Sequence, residues 1–190
     1  METRQLGTDG PQVSCICFGA WPIGGGMGAV ADQQAIEAVE AAIDVGMTFI
    51  DTAEGYLRAE EIIGKAIKGR RHELFIATKV SGDHLRYDDL MRAAEGSLRR
   101  LVVEVIDLYQ VHWPSWSVPL AETMGALKRL KEQGKVRALG VCNFGVRDLA
   151  DLLEVGAVET DQLPYSLLWR VIEDAIQPVL LANEIGIICY

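Results

Sequence analysis

Apolar positions along the chain follow two periods. Short apolar runs recur as "ICFGA" (16–20), "MTFID" (47–51), "LFIATK" (74–79), "VIDLYQVH" (105–112), "VRALGV" (136–141), "VETDQLPY" (158–165) and "IGIICY" (185–190), each of strand length. The stretches between them repeat their apolar residues at helical spacing. "DQQAIEAVEAAIDVG" sets Ile36, Val39 and Ile43 on one face, with Asp32 predicted as N-cap and Gly46 as the stop. "AEEIIGKAIKG", "YDDLMRAAEGSLRRL", "PLAETMGALKRLKEQG", "VRDLADLLEVG" and "VIEDAIQPVLLANEIG" read the same way, and Pro178 is expected to kink or interrupt the last. Residues 2 to 18 differ: "TRQL" and "QVSCICF" flank the turn residues "GTDGP", which predicts a β-hairpin.

Strand followed by helix, repeated, means parallel strands. Gly19, Asp51, Lys79, His112 and Asn143 end successive units at spacings of 32, 28, 33 and 31 residues, a period of one βα unit. A doubly wound sheet and a (β/α)8 barrel both take such units. No G-x-G-x-x-G follows the first strand, and "GGGMG" (24–28) lacks the Lys-Ser/Thr of a phosphate loop and reads as a flexible loop. Polar residues at successive strand ends favour the barrel, where functional groups collect on the C-terminal face. The expectation is therefore an α/β, TIM-type (β/α)8 barrel with an N-terminal hairpin, residues 1–190 forming a single domain. Such barrels run to about 250 residues and eight strands. Seven strand segments here predict a barrel incomplete at its C-terminal end.

Charge narrows the partners. Eighteen Lys and Arg against 27 Asp and Glu give a net −9 with no block of like charge, which argues against nucleic acid or an anionic membrane. The polar N-terminus and the lack of a run of about 18 apolar residues predict no signal sequence and no membrane span. Cys15, Cys17, Cys142 and Cys189 sit in apolar runs without a C-x-x-C or a Cys/His cluster. That predicts neither disulfides nor a metal, and a reducing, cytoplasmic setting. Oligomeric state has no signature.

The chemistry begins in "TFIDTAEGY". Asp51 ends an apolar strand, where an ionised carboxylate is costly without a partner. Lys79 ends another apolar strand one unit later. On a barrel, Asp51, Lys79 and His112 project into one cleft, with Tyr56 in the loop after Asp51. An Asp–Lys pair relieves both desolvation costs, and an ammonium beside a phenol is expected to lower its pKa and make Tyr56 a general acid. His112 would orient a substrate oxygen. The competing reading is a structural ion pair beneath a surface loop.

"DTAEGYLRAEEIIGKAIKGRRHELFIATKV", "DLYQVHWPS", "LKEQGKVRALGVCNFG" and "QLPYSLLWR" together resemble the aldo-keto reductases, in their bacterial and potassium-channel-β-subunit-like branches. The resemblance spans nearly the whole chain. It implies a barrel that reduces aldehydes and ketones with NADPH, NADH not being excluded, and a small-molecule carbonyl as substrate. It further implies a catalytic tetrad of Asp51, Tyr56, Lys79 and His112, with Tyr56 as proton donor and His112 beside it at the oxyanion. Asn143 and Gln162 match positions that bind the nicotinamide carboxamide, and Tyr190 matches the tyrosine that stacks on the ring. Trp21, Trp113 and Trp116 match aromatics around the substrate pocket. The family commonly has Ser where this chain has Cys142, and its adenosine contacts come from a loop after an eighth strand. Two other readings fit the same residues: a nicotinamide-sensing regulatory subunit with little turnover, and an inactive truncated barrel.

Overall fold

The computed structural model describes residues 1–7 and 10–190. Strands β1 (Thr3–Gln5) and β2 (Gln12–Ser14) pair antiparallel as a hairpin, shorter than expected, because Cys17 and Phe18 of "QVSCICF" join the parallel sheet instead. Thr8 and Asp9 of its "GTDGP" turn lie outside the described residues. The remaining strands are β3 (Cys17–Gly19), β4 (Phe49–Asp51), β5 (Phe75–Val80), β6 (Ile106–Val111), β7 (Val136–Cys142), β8 (Thr160–Leu163) and β9 (Gly186–Cys189). They form one parallel sheet in chain order, β3 to β9, seven strands as the apolar runs predict. Among the described residues β3 and β9 each have one strand neighbour in this sheet, so it is open between them.

Alternation along the strands sorts the side chains into two layers. Ile50, Ile76, Tyr109, Val111, Leu139 and Val141 pack into the larger core with the helices. The intervening residues face inward. Phe49, Ala77, Leu108 and Ile188 meet Leu6 and Val13 of the hairpin, which closes the barrel floor. One step up the same strands come Asp51, Lys79 and Gln110. The interior is thus apolar at the bottom and polar at the top, as a period of two requires.

Helices α1 (Asp32–Asp44), α2 (Ala59–Ala66), α3 (Tyr87–Leu101), α4 (Leu120–Glu132), α5 (Val146–Val155) and α6 (Ile172–Ala182) occupy the predicted intervals. Two details differ from the sequence expectation. The N-cap of α1 is Ala31, and Asp32 is the first helical residue. Its carboxylate pairs instead with Arg58 and Lys65, which the α1–α2 packing brings to it. Helix α6 also runs through Pro178. Proline forfeits one helical N–H, a local cost that burial of Ile172 and Leu180 on the same helix offsets. No helix among the described residues is long and apolar enough to cross a membrane.

Candidate active site

Strand register brings the charged ends together. Lys79 pairs across the ladder with Gln110, and Asp51 with Ala77. Lys79 Nζ reaches 2.5 Å from Asp51 Oδ2 and donates to the Thr52 carbonyl at 2.8 Å. Gln110 Nε2 approaches the other Asp51 oxygen at 3.4 Å. Lys79 is 1% exposed and Asp51 6%, so this is a buried ion pair. Burial, the largest single influence, would lower the Lys79 pKa, but the Asp51 charge and hydrogen bond together with Cys142 and Tyr56 outweigh it, and the net direction is upward. Lys79 therefore stays an ammonium at neutral pH.

Tyr56 sits above this pair, its ring centroid 5.0 Å from Lys79 Nζ. The expected lowering of its pKa does not win. Burial pushes the phenol up by more than Lys79 pulls it down, so the net direction is upward. Tyr56 is consequently protonated at neutral pH, the form a proton donor needs. His112 stands 5.5 Å away, ring centroid to centroid, in an edge arrangement. Burial, and then the Lys79 charge, lower its pKa to about 4. Its imidazole is neutral at pH 7 and can donate one N–H.

Beside Tyr56 lies a cavity of about 330 Å³ whose lining includes Asp51, Tyr56 and His112. Trp21, Pro22, Met27 and Trp113 form its apolar side. Trp21 packs edge-on against Tyr56, with centroids 5.0 Å apart. The "GGGMG" segment acts here as a packing element. A Cβ on Gly24 would lie 2.1 Å from the Tyr56 carbonyl oxygen, and one on Gly26 would lie 2.3 Å from the Trp21 ring. These glycines let the loop press onto both aromatics. Met27 is a lining residue that sequence reasoning missed, since only its neighbourhood in space marks it. Trp116 lies outside the cavity lining, 89% exposed, with its indole N–H on Asp148.

Asn143, Gln162, Tyr190 and Cys142 also line the cavity. Asn143 has a left-handed backbone, φ 63°, which asparagine tolerates better than most residues. Its amide nitrogen donates to the His112 carbonyl and its oxygen accepts from the Tyr190 hydroxyl at 2.6 Å. The Cys142 thiol donates to Gln162 Oε1 at 3.3 Å, standing where the family's serine would be. The two amides offer the donors and acceptors that a nicotinamide carboxamide needs, with an aromatic ring beside them, so the donor set fits that group.

A sequence model described as "Aldo/keto reductase family" matches residues 15–190. The chain is 39% identical to the aldo-keto reductase YhdN of Bacillus subtilis, an alignment covering all of this chain and 61% of that protein. It is 32% identical to the NADH-specific methylglyoxal reductase of Escherichia coli, over 100% of this chain and 67% of that one. A crystal structure of an aldo-keto reductase from Klebsiella pneumoniae in complex with NADPH superposes with a TM-score of 0.91 at 34% identity, over 100% of this chain and 68% of that one. The chain thus spans somewhat under two thirds of the length of the first of these relatives.

Proposed function

The chain belongs to the aldo/keto reductase family, and from that premise we propose that it reduces aldehydes and ketones to alcohols with NADPH, or with NADH. One observation carries the reading: a buried Lys79–Asp51 pair lies 5.0 Å from the ring of Tyr56, which lines an apolar cavity. A carbonyl compound and a nicotinamide are the ligands that this combination of groups suits.

When bound, the nicotinamide supplies a hydride for the carbonyl carbon. Tyr56 gives its phenolic proton to the carbonyl oxygen, and Lys79 stabilises the phenolate that remains. Asp51 holds the ammonium in place and keeps it charged. Neutral His112 donates to the same oxygen as negative charge develops there, an oxyanion role alongside Tyr56. Asn143 and Gln162 orient the carboxamide, and Tyr190 offers its ring as a stacking surface. Trp21, Met27 and Trp113 hold the carbonyl's apolar substituent and keep water away. In this reading residues 1–190 work as one domain on a small-molecule substrate.

One structure similar to this chain holds NADPH and one relative is named for NADH, so the test offers both. Loss of nicotinamide absorbance on adding a reactive aromatic aldehyde, such as nitrobenzaldehyde, is the expected result. Absence of aldehyde-dependent oxidation with either cofactor at millimolar concentration would overturn the reading.

A further inference from the structure

Glu54 lies between Asp51 and Tyr56, and the reaction described above gives it no part. Its side chain is only 9% exposed. A carboxylate at that depth is costly unless hydrogen bonds meet it. Its partners come from one neighbouring segment and one helix. Oε1 accepts from the Ser81 backbone N–H at 2.6 Å and contacts His84 Nδ1 at 2.9 Å. Oε2 lies 4.0 Å from Arg100 of α3, whose Nε is held by Glu60. The Glu54 backbone N–H donates to the Lys79 carbonyl at 3.2 Å. Gly55 keeps the approach close, since a Cβ there would stand 3.2 Å from Ser81 Oγ.

These contacts form a bracket. Glu54 is two residues before Tyr56, and Ser81 is two residues after Lys79. Joining Glu54 to Ser81 and His84 therefore fixes the Tyr56 loop against the end of β5. We infer that Glu54 is a positioning residue, which clamps the loop carrying Tyr56 onto the segment after Lys79 and so sets the phenol at its working distance from the ammonium. The inference rests on the carbonyl reductase reading for its kinetic consequence, and on geometry alone for the clamp.

The test compares Glu54→Ala, Glu54→Gln and His84→Ala in the full 190-residue chain. Glutamine keeps an acceptor for Ser81 and His84, whereas alanine keeps none. Because a misplacement of about 1 Å can cost roughly a hundredfold, Glu54→Ala is expected to lower kcat for aldehyde reduction by about tenfold or more, with aldehyde KM within about twofold. Glu54→Gln is expected to recover most of that loss, and His84→Ala to lose about two- to threefold, having half the clamp. Backbone hydrogen exchange supplies a readout independent of turnover. Glu54→Ala should speed exchange at residues 54–57 and at Ser81, while β6 and β7 keep wild-type protection. Wild-type kcat and wild-type exchange in Glu54→Ala would overturn the inference, as would a Glu54→Gln enzyme as impaired as Glu54→Ala. Absence of turnover in every variant, wild type included, sinks the reductase reading, and the exchange result then still decides the clamp.

Discussion

Lys79 Nζ lies 2.5 Å from Asp51 Oδ2 in a setting almost closed to water. Removing one member leaves the other as an uncompensated buried charge. Lys79→Met and Asp51→Asn should each destabilise the fold by about 3 to 5 kcal/mol in urea unfolding. The double variant should regain most of that stability yet show no aldehyde turnover, because Tyr56 loses its ammonium. Single variants within about 1 kcal/mol of wild type would show that the pair is solvated and not under strain of desolvation.

Gly24 should tolerate no side chain. Its Cβ position collides with the Tyr56 carbonyl and crowds Ala59 at 3.1 Å. Gly24→Ala is expected to cost about 1 to 3 kcal/mol and to depress kcat by shifting the Tyr56 turn. Gly125 in α4, where an added Cβ meets nothing within 4 Å, is the control. Gly125→Ala should gain about 0.5 to 1 kcal/mol from helix propensity and leave kcat alone.

Asp161 couples stability to pH. It is fully buried on β8, and among the described residues neither side-chain oxygen has a hydrogen-bond partner of ordinary geometry. Burial raises its pKa to about 8, against a smaller lowering by the Phe144 backbone amide. The folded state therefore holds this proton more tightly than the unfolded chain, whose carboxyl releases it near pH 4. Stability is lost as pH rises through that window up to about 8. Asp161→Asn should raise the melting temperature at pH 7 to 8, by a stability gain on the order of 2 to 4 kcal/mol, and match wild type near pH 4. Parallel melting curves across that range would contradict the assignment.

Cofactor affinity should be modest. The cavity lining has amides and aromatics but no arginine, and Lys79 is engaged by Asp51. A dinucleotide carries its phosphate charge away from the nicotinamide, and nothing in this lining answers it. Fluorescence titration of NADPH with the 190-residue chain should give a dissociation constant weaker than about 10 micromolar. A value near 1 micromolar or tighter, about 8 kcal/mol, would require phosphate contacts outside this lining.

The period near thirty residues makes the sheet order and the convergence of Asp51, Lys79 and His112 legible in the sequence. Apolar strands ending in a charge are rare enough that each charge asks for a partner, and parallel register supplies it. The direction of the Tyr56 pKa was not legible. It depends on how deeply the phenol is buried against how close Lys79 comes, and sequence gives only the second. The contact between Glu54 and His84 is not legible in the sequence, because it crosses 30 positions. Asp32 had the residue type of an N-cap but is drawn to Arg58 by helix packing, a tertiary preference over a local one. Gly24 and Gly26 read as flexibility, whereas their small size serves close contact with Tyr56 and Trp21.

The central claim is that Tyr56 delivers the proton. Oxidation of NADPH by nitrobenzaldehyde, followed with wild type and Tyr56→Phe at matched cofactor occupancy, tests it most directly. The expected result is turnover in wild type and a loss of about a hundredfold or more in Tyr56→Phe, with NADPH affinity unchanged. A Tyr56→Phe variant that turns over at the wild-type rate would contradict the account.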